Sequence, residues 1–150
     1  MKAGQIRALA LGVITKDDQI LVFEGYDPSK NETFYRPLGG AIEFGEYGHQ
    51  ALARELREEI DVELENIQYF GLCENLFTYD NQTGHEIILL YKAELGDRTL
   101  YERDRFLGRE DDGSPLKVVW KPMDFFLSRK APLYPDGLLE RLKESICATS

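Results

Sequence analysis

The first forty residues carry short β-branched and aliphatic runs broken by polar pairs. Residues 5–15 and 19–25 are two such runs around Asp17-Asp18, which predicts two strands joined by a short turn. Residues 27–32 are polar and contain Pro28, which predicts a loop. Phe34-Tyr35-Arg36 then leads through Pro37 to Gly39-Gly40. There the period changes. Leu52, Leu56 and Ile60 recur every four residues within 49–60, which places one apolar stripe on a helix. Residues 67–79 and 86–95 return to a strand pattern, with Asp80-Asn81-Gln82-Thr83-Gly84 as the turn of a long hairpin. A strand over 117–120, ended by Pro122, and a C-terminal helix over 138–146 complete the pattern. Strands surrounding two helical segments predict an α/β fold with a mixed β-sheet packed between helices.

Composition adds limits. A chain of 150 residues fits one domain, 1–150, and buries enough core to fold without staples. Cys73 and Cys147 match no metal or redox spacing and read as reduced thiols. The apolar run Ala8 to Ile14 is far short of the roughly 20 residues needed to span a bilayer. Acidic Asp17 and Asp18 follow it with no cleavage site, so a cytoplasmic protein without membrane contact is expected. The net charge of −9 repels polyanions and argues against stable nucleic-acid binding. The acids are not evenly spread: Glu55, Glu58, Glu59, Asp61, Glu63 and Glu65 crowd one short stretch beside Arg54 and Arg57.

Glu55, Glu58 and Glu59 stand at i, i+3 and i+4, so a helix gathers their carboxylates on one side. Like charges at that spacing repel by a few tenths of a kcal/mol. Arg54 and Arg57 are compatible with a solvated, salt-bridged face. The preceding Gly39-Gly40 pair favours another use, because glycine lets backbone approach a ligand closely and its carbonyls can join a cation's ligands. An oxygen-only set of this kind suits Mg²⁺ or Mn²⁺, which in turn bind diphosphate oxygens.

The stretch Gly40 to Val62 resembles the Nudix box, G-x₅-E-x₇-R-E-U-x-E-E-x-G-U with U aliphatic. Gly40, Glu46, Arg54, Glu55, Leu56, Glu58, Glu59 and Val62 match in order; only Asp61 departs, where the family has glycine. The strands before the box and Trp120-Lys121-Pro122 after it are similar to the family's flanks. The resemblance implies an α/β/α sandwich and a Mg²⁺-dependent hydrolase of phosphoanhydride bonds, with Mn²⁺ as a substitute. It implies that Glu58 and Glu59 bind the metal, and that Glu55 binds metal or helps deprotonate the attacking water. By the same resemblance the Gly39 carbonyl is a further ligand, Arg54 orients the carboxylates and Glu46 braces the loop. Glycine at the position of Asp61 implies a left-handed exit from the helix.

Outside the box, one more glutamate is expected in the metal set: Glu86 on its strand, with Glu110 as the rival. Glu74-Asn75-Leu76-Phe77 followed by His85-Glu86 is similar to a pattern in some small family members, and His85 itself reads as a hairpin hydrogen-bonder. For substrate phosphate Arg36, beside the glycine pair, is favoured over Arg7, and Gly40 is a further substrate-binding candidate. The expected partner is a small nucleotide-like diphosphate compound, and a homodimer is left open. A P-loop fails for want of Gly-Lys-Ser/Thr, and a zinc site for want of ligands. The alternative from another class is a Nudix-fold nucleotide-binding module that has lost catalysis, against which the intact Glu55, Glu58 and Glu59 stand.

Overall fold

A computed structural model describes the backbone of residues 4–149 and the side chains through residue 144, so Cys147 lies outside the described side chains. The strands are β1 (Ile6–Val13), β2 (Thr15–Lys16), β3 (Gln19–Asp27), β4 (Glu32–Arg36), β5 (Leu38–Ala41), β6 (Leu64–Tyr79), β7 (Gln82–Leu95), β8 (Arg105–Arg109) and β9 (Pro115–Pro122). The helices are α1 (Gly48–Ile60), α2 (Met123–Leu127) and α3 (Leu138–Thr149), with a 3₁₀ turn over Arg98–Glu102.

The strands form two sheets. The first has the order β5-β1-β7-β6, with β1 and β7 parallel and the outer pairs antiparallel, so it is mixed as expected. The second, antiparallel throughout, has the order β2-β3-β9-β8, with β4 also on β3. The run expected as a single strand over 5–15 divides at Ile14, where the chain passes from β1 in one sheet to β2 in the other. Pro37 makes the return passage between β4 and β5; it has no N–H to offer a ladder at that corner.

Side chains alternate between two cores, one on each face. Leu9, Leu11, Val13, Ile20, Val22 and Ile88 pack with Phe126, Leu138 and Leu142 of α2 and α3. Ala10, Leu21, Val118 and Trp120 point the other way and meet Ala51, Leu52 and Leu56 of α1. The sheets therefore sit between helices, and the period-two and period-four apolar patterns are each accounted for by burial.

Three local features differ from the sequence pattern. The β6–β7 turn is two residues, not five: Asp80 and Asn81 both have positive φ (49° and 63°), and Gln82, Thr83 and Gly84 pair with Tyr79, Thr78 and Phe77. Tight turns with two left-handed residues match the twist of the flanking strands, and Asp and Asn tolerate that conformation. The loop expected at 27–32 shrinks because Asp27 and Glu32 pair with each other. Finally, β8 and the short helix α2 carry no apolar pattern long enough to be read in the sequence.

Candidate functional site

Helix α1 is fixed at both ends. The Tyr47 N–H donates to Gln50 Oε1 at 2.9 Å. At the other end Asp61 is left-handed (φ 54°, ψ 48°), and its N–H donates to the Arg57 carbonyl at 3.0 Å. The left-handed exit implied by the resemblance is thus present with aspartate in it.

The glycine pair sits on β5 under this helix. Gly39 has φ 146°, and a Cβ there would lie 2.0 Å from the Ala10 carbonyl oxygen. A Cβ at Gly40 would lie 2.5 Å from Glu55 Cδ. Any side chain at Gly40 would have to displace that carboxylate. Glu55 is buried, and Glu58 is exposed beside it.

Arg54 organises the near side. Its Nε and Nη2 donate to Glu46 Oε2 and Oε1 at 3.0 and 2.8 Å, a bidentate pair. Nη2 also donates to the Ala41 carbonyl at 3.0 Å, and Nη1 to Glu55 Oε1 at 2.9 Å and Glu58 Oε2 at 3.3 Å. Glu46 Oε1 further accepts from the Glu43 N–H at 2.9 Å. These hydrogen bonds, Arg54 first, hold the Glu46 carboxyl down at about 2. Glu46 thus ties the loop to the helix and has no oxygen left over.

On the far side the same helix carries a carboxylate with one oxygen unmet. Glu59 Oε1 is buried with no hydrogen-bond partner. Burial, then the neighbouring Glu55 charge, push the Glu59 carboxyl up to about 8 despite the Arg36 guanidinium. Burial likewise raises Glu55, against the pull of Arg54.

A third acid comes from elsewhere. Oxygens of Glu55, Glu58 and Asp111 all lie within 4.8 Å of one another. Asp111 stands in the β8–β9 turn, which is brought to α1 because Gly108 packs on the Glu59 carbonyl; a Cβ there would be 2.4 Å from it. The sequence reading passed over Asp111 for its neighbour Glu110. The available signal was the acidic Glu110-Asp111-Asp112-Gly113 turn itself. Glu110 is exposed and accepts from Ser114 Oγ at 2.7 Å.

Glu86, expected among the metal ligands, is not placed with that trio. It is 1% exposed, and its Oε2 lies 3.9 Å from both Arg7 Nη1 and Arg36 Nη1. The register explains this: Glu86 pairs directly with Arg7 on β1. Burial lowers Arg36, while Glu86 and Glu59 hold it up. The Arg36 guanidinium also lies 5.1 Å from the centre of the Phe23 ring, and its Nε has no partner. His85 Nε2 lies 2.8 Å from Glu74 Oε2 across the hairpin, the local hydrogen-bonding place read for it.

Two cavities meet at these arginines. One, about 340 Å³, is lined by Gly39, Gly40, Glu55, Glu58, Glu59 and Asp111. The other, about 660 Å³, opens between the β3–β4 hairpin and the β6–β7 hairpin, with Phe23, Phe34, Phe77 and Asn75 in its wall. Arg7, Arg36 and Glu110 line both. An acidic chamber is thus joined, through Arg7 and Arg36, to an aromatic one.

Comparison with known proteins agrees on the family. The NUDIX domain model matches residues 5–130, and the chain belongs to that family. NAD-capped RNA hydrolase NudC of Pseudomonas putida (strain GB-1) is 41% identical over 59 residues, which are 39% of this chain and 21% of that protein. NudC of Photobacterium profundum is 37% identical over 58 residues, again 21% of its length, so the chain spans about a fifth of these curated relatives. Among solved structures, a NUDIX hydrolase from Nitrosomonas europaea superposes with TM-score 0.66 at 19% identity, covering 96% of this chain and 90% of that one. An ADP compounds hydrolase gives TM-score 0.62 at 19% identity over 96% and 75%. These two share the fold. No helix among the described residues is long and apolar enough to cross a membrane.

Proposed function

We propose that the chain is a divalent-cation-dependent pyrophosphohydrolase, splitting a phosphoanhydride bond in a nucleoside diphosphate linked to a further moiety. The observation that carries this reading is the acidic chamber of Glu55, Glu58 and Asp111 opening through Arg7 and Arg36 onto an aromatic cavity.

A hard cation fits the acidic chamber on two counts. The donors are all oxygens, which suits Mg²⁺ with Mn²⁺ as substitute. Glu59 Oε1 is buried without a partner, a cost of roughly 1–3 kcal/mol that a ligand would relieve. Glu58, Glu59, Asp111 and the Gly39 carbonyl would hold the ion, with Glu55 as a further ligand or as the base. When bound, the ion neutralises phosphoryl charge and makes water acidic enough to attack near neutral pH. Arg54 keeps Glu55 and Glu58 in place, and Glu46 keeps Arg54 in place. Arg7 and Arg36 present positive charge where the diphosphate crosses between the chambers, and Glu86 sets their positions.

The −9 charge is no obstacle to an anionic substrate where these acids would hold a cation. It disfavours long RNA, although relatives matched over part of this chain are named NAD-capped RNA hydrolases. NAD and NADH therefore head a substrate screen that also includes ADP-linked sugars, dinucleoside polyphosphates, nucleoside triphosphates and CoA. Phosphate release is read with and without a coupled phosphatase, in Mg²⁺, Mn²⁺ and excess EDTA. Turnover is expected only with cation, and activity persisting after thorough chelation would overturn the proposal.

A further inference from the structure

Among the described residues, four buried side-chain atoms lack any hydrogen-bond partner: Arg36 Nε, Glu59 Oε1, Asn75 Oδ1 and Glu86 Oε1. Every one of these residues lines the two joined cavities. Buried polar atoms are satisfied in the great majority of proteins, so a group of orphans on one wall marks where a ligand's polar atoms go. Glu59 and Arg36 are accounted for by the cation and the diphosphate. Asn75 and Glu86 are not.

Asn75 on β6 and Glu86 on β7 are direct cross-strand partners, and Arg7 continues the row on β1. They extend the buried face that holds Cys73 and Ile88 one step further. Asn75 is 4% exposed and Glu86 1%. Glu86 turns Oε2 toward the two arginines and leaves Oε1 free. Opposed residues on neighbouring strands have Cβ atoms roughly 4.5–5.5 Å apart, so the two unmet oxygens belong to neighbouring side chains on one face. Aromatic rings complete the chamber. Phe34 lies against Gly25 and Phe77 against Gly84, each where a Cβ would meet the ring at 2.4 and 2.3 Å. Phe34 also makes an edge contact with Phe23, centroids 6.2 Å apart.

Two adjacent acceptors beside aromatic faces call for a flat ring that offers two N–H bonds from one point. We infer that Glu86 and Asn75 select an amino-substituted base, of adenine type, and reject its keto counterpart. This rests on the cavity being the nucleoside end of the proposed substrate. An exocyclic amine donates one hydrogen to each acceptor, whereas the keto counterpart sets an oxygen against them and offers only its single ring N1–H, so at least one buried acceptor stays unmet. A site built to hydrogen-bond a substrate group rejects the analogue lacking it far more strongly than an apolar pocket does.

The test is calorimetric binding of AMP and IMP to the whole protein in EDTA, with 2′-deoxy-AMP as a third probe. AMP is expected to bind at least about tenfold more tightly than IMP, and 2′-deoxy-AMP about as tightly as AMP. Asn75→Ala and Glu86→Gln, checked for folding by circular dichroism, should bring the AMP to IMP ratio close to one. Equal binding of AMP and IMP by the wild type overturns the inference, as does a loss seen only with 2′-deoxy-AMP, which would give the acceptors to the ribose. If the variants do not fold, the wild-type comparison decides alone. Hydrolysis does not enter this measurement: discrimination without turnover on any compound would sink the proposed activity and leave the base selection standing. Metal-dependent turnover with equal use of ADP-ribose and IDP-ribose would do the reverse.

Discussion

The two flanks of helix α1 treat their carboxylates in opposite ways. On one flank Glu46 and Arg54 close on each other, and the Ala41 carbonyl and Glu43 N–H complete the set. On the other, Glu59 keeps one buried oxygen without a partner, facing Arg36 and the cavity. The first arrangement is finished within the chain; the second is left incomplete by the chain's own groups. The Glu46 carboxyl sits at about 2 and the Glu59 carboxyl at about 8, although Glu46 and Glu59 serve the same loop–helix unit. Burial at Glu59 and hydrogen-bond partners at Glu46, not residue type, set that separation.

The sharpest way to break this contrast is to neutralise the open side. Glu58→Gln or Glu59→Gln should cut turnover at least about a hundredfold with unchanged circular dichroism, because a lost charged ligand weakens the ion that carries the electrostatic work. Undiminished activity in both variants would remove the site assignment. The metal-free Glu59→Gln protein should in addition unfold at higher urea near neutral pH than the metal-free wild type, because the wild-type fold must keep protonated a carboxyl that ionises near 4.5 when unfolded.

Arg54→Lys should act next most strongly. Lysine keeps the charge but loses the bidentate grip on Glu46, so kcat should fall roughly tenfold with KM little changed. A pure KM effect would mean that Arg54 holds substrate and not the carboxylates.

The closed side carries its own acid signature. The Glu46 carboxyl is lowered in the fold from 4.5 to about 2. Stability from this group is therefore complete above about 4.5 and is lost as pH falls toward 2. Glu46→Gln should flatten urea-midpoint dependence within that window and leave it unchanged above. An unaltered acid slope would show that the Glu46 brace adds nothing to folding.

The smallest effect is expected at Asp61. Its φ of 54° carries a steric cost of order 1 kcal/mol, and its charge faces the helix's negative end. Asp61→Gly should stabilise the protein by about 0.5–1 kcal/mol, less glycine's greater unfolded-state entropy, with unchanged turnover. A more than tenfold rate loss at equal stability would place Asp61 in the site.

Much of this molecule is legible along the chain because its determinants are local. The four-residue stripe Leu52, Leu56 and Ile60 fixes a helix, and the same helix necessarily gathers Glu55, Glu58 and Glu59 on one side. The Gly40 to Val62 spacing names the family and foretells the left-handed end at Asp61. What only the tertiary structure decided lies in side-by-side pairings of distant segments. Asp111 reaches the glutamates because β8 packs on α1 through Gly108, about fifty residues away in sequence. Glu86 joins Arg7 and Asn75 because β7 lies between β1 and β6, a strand order that no local pattern encodes. Periodicity tells which face a residue takes, but not which strand will stand opposite it. Here the acidic cluster was largely written in one helix, whereas the aromatic chamber came into being only when six strands met.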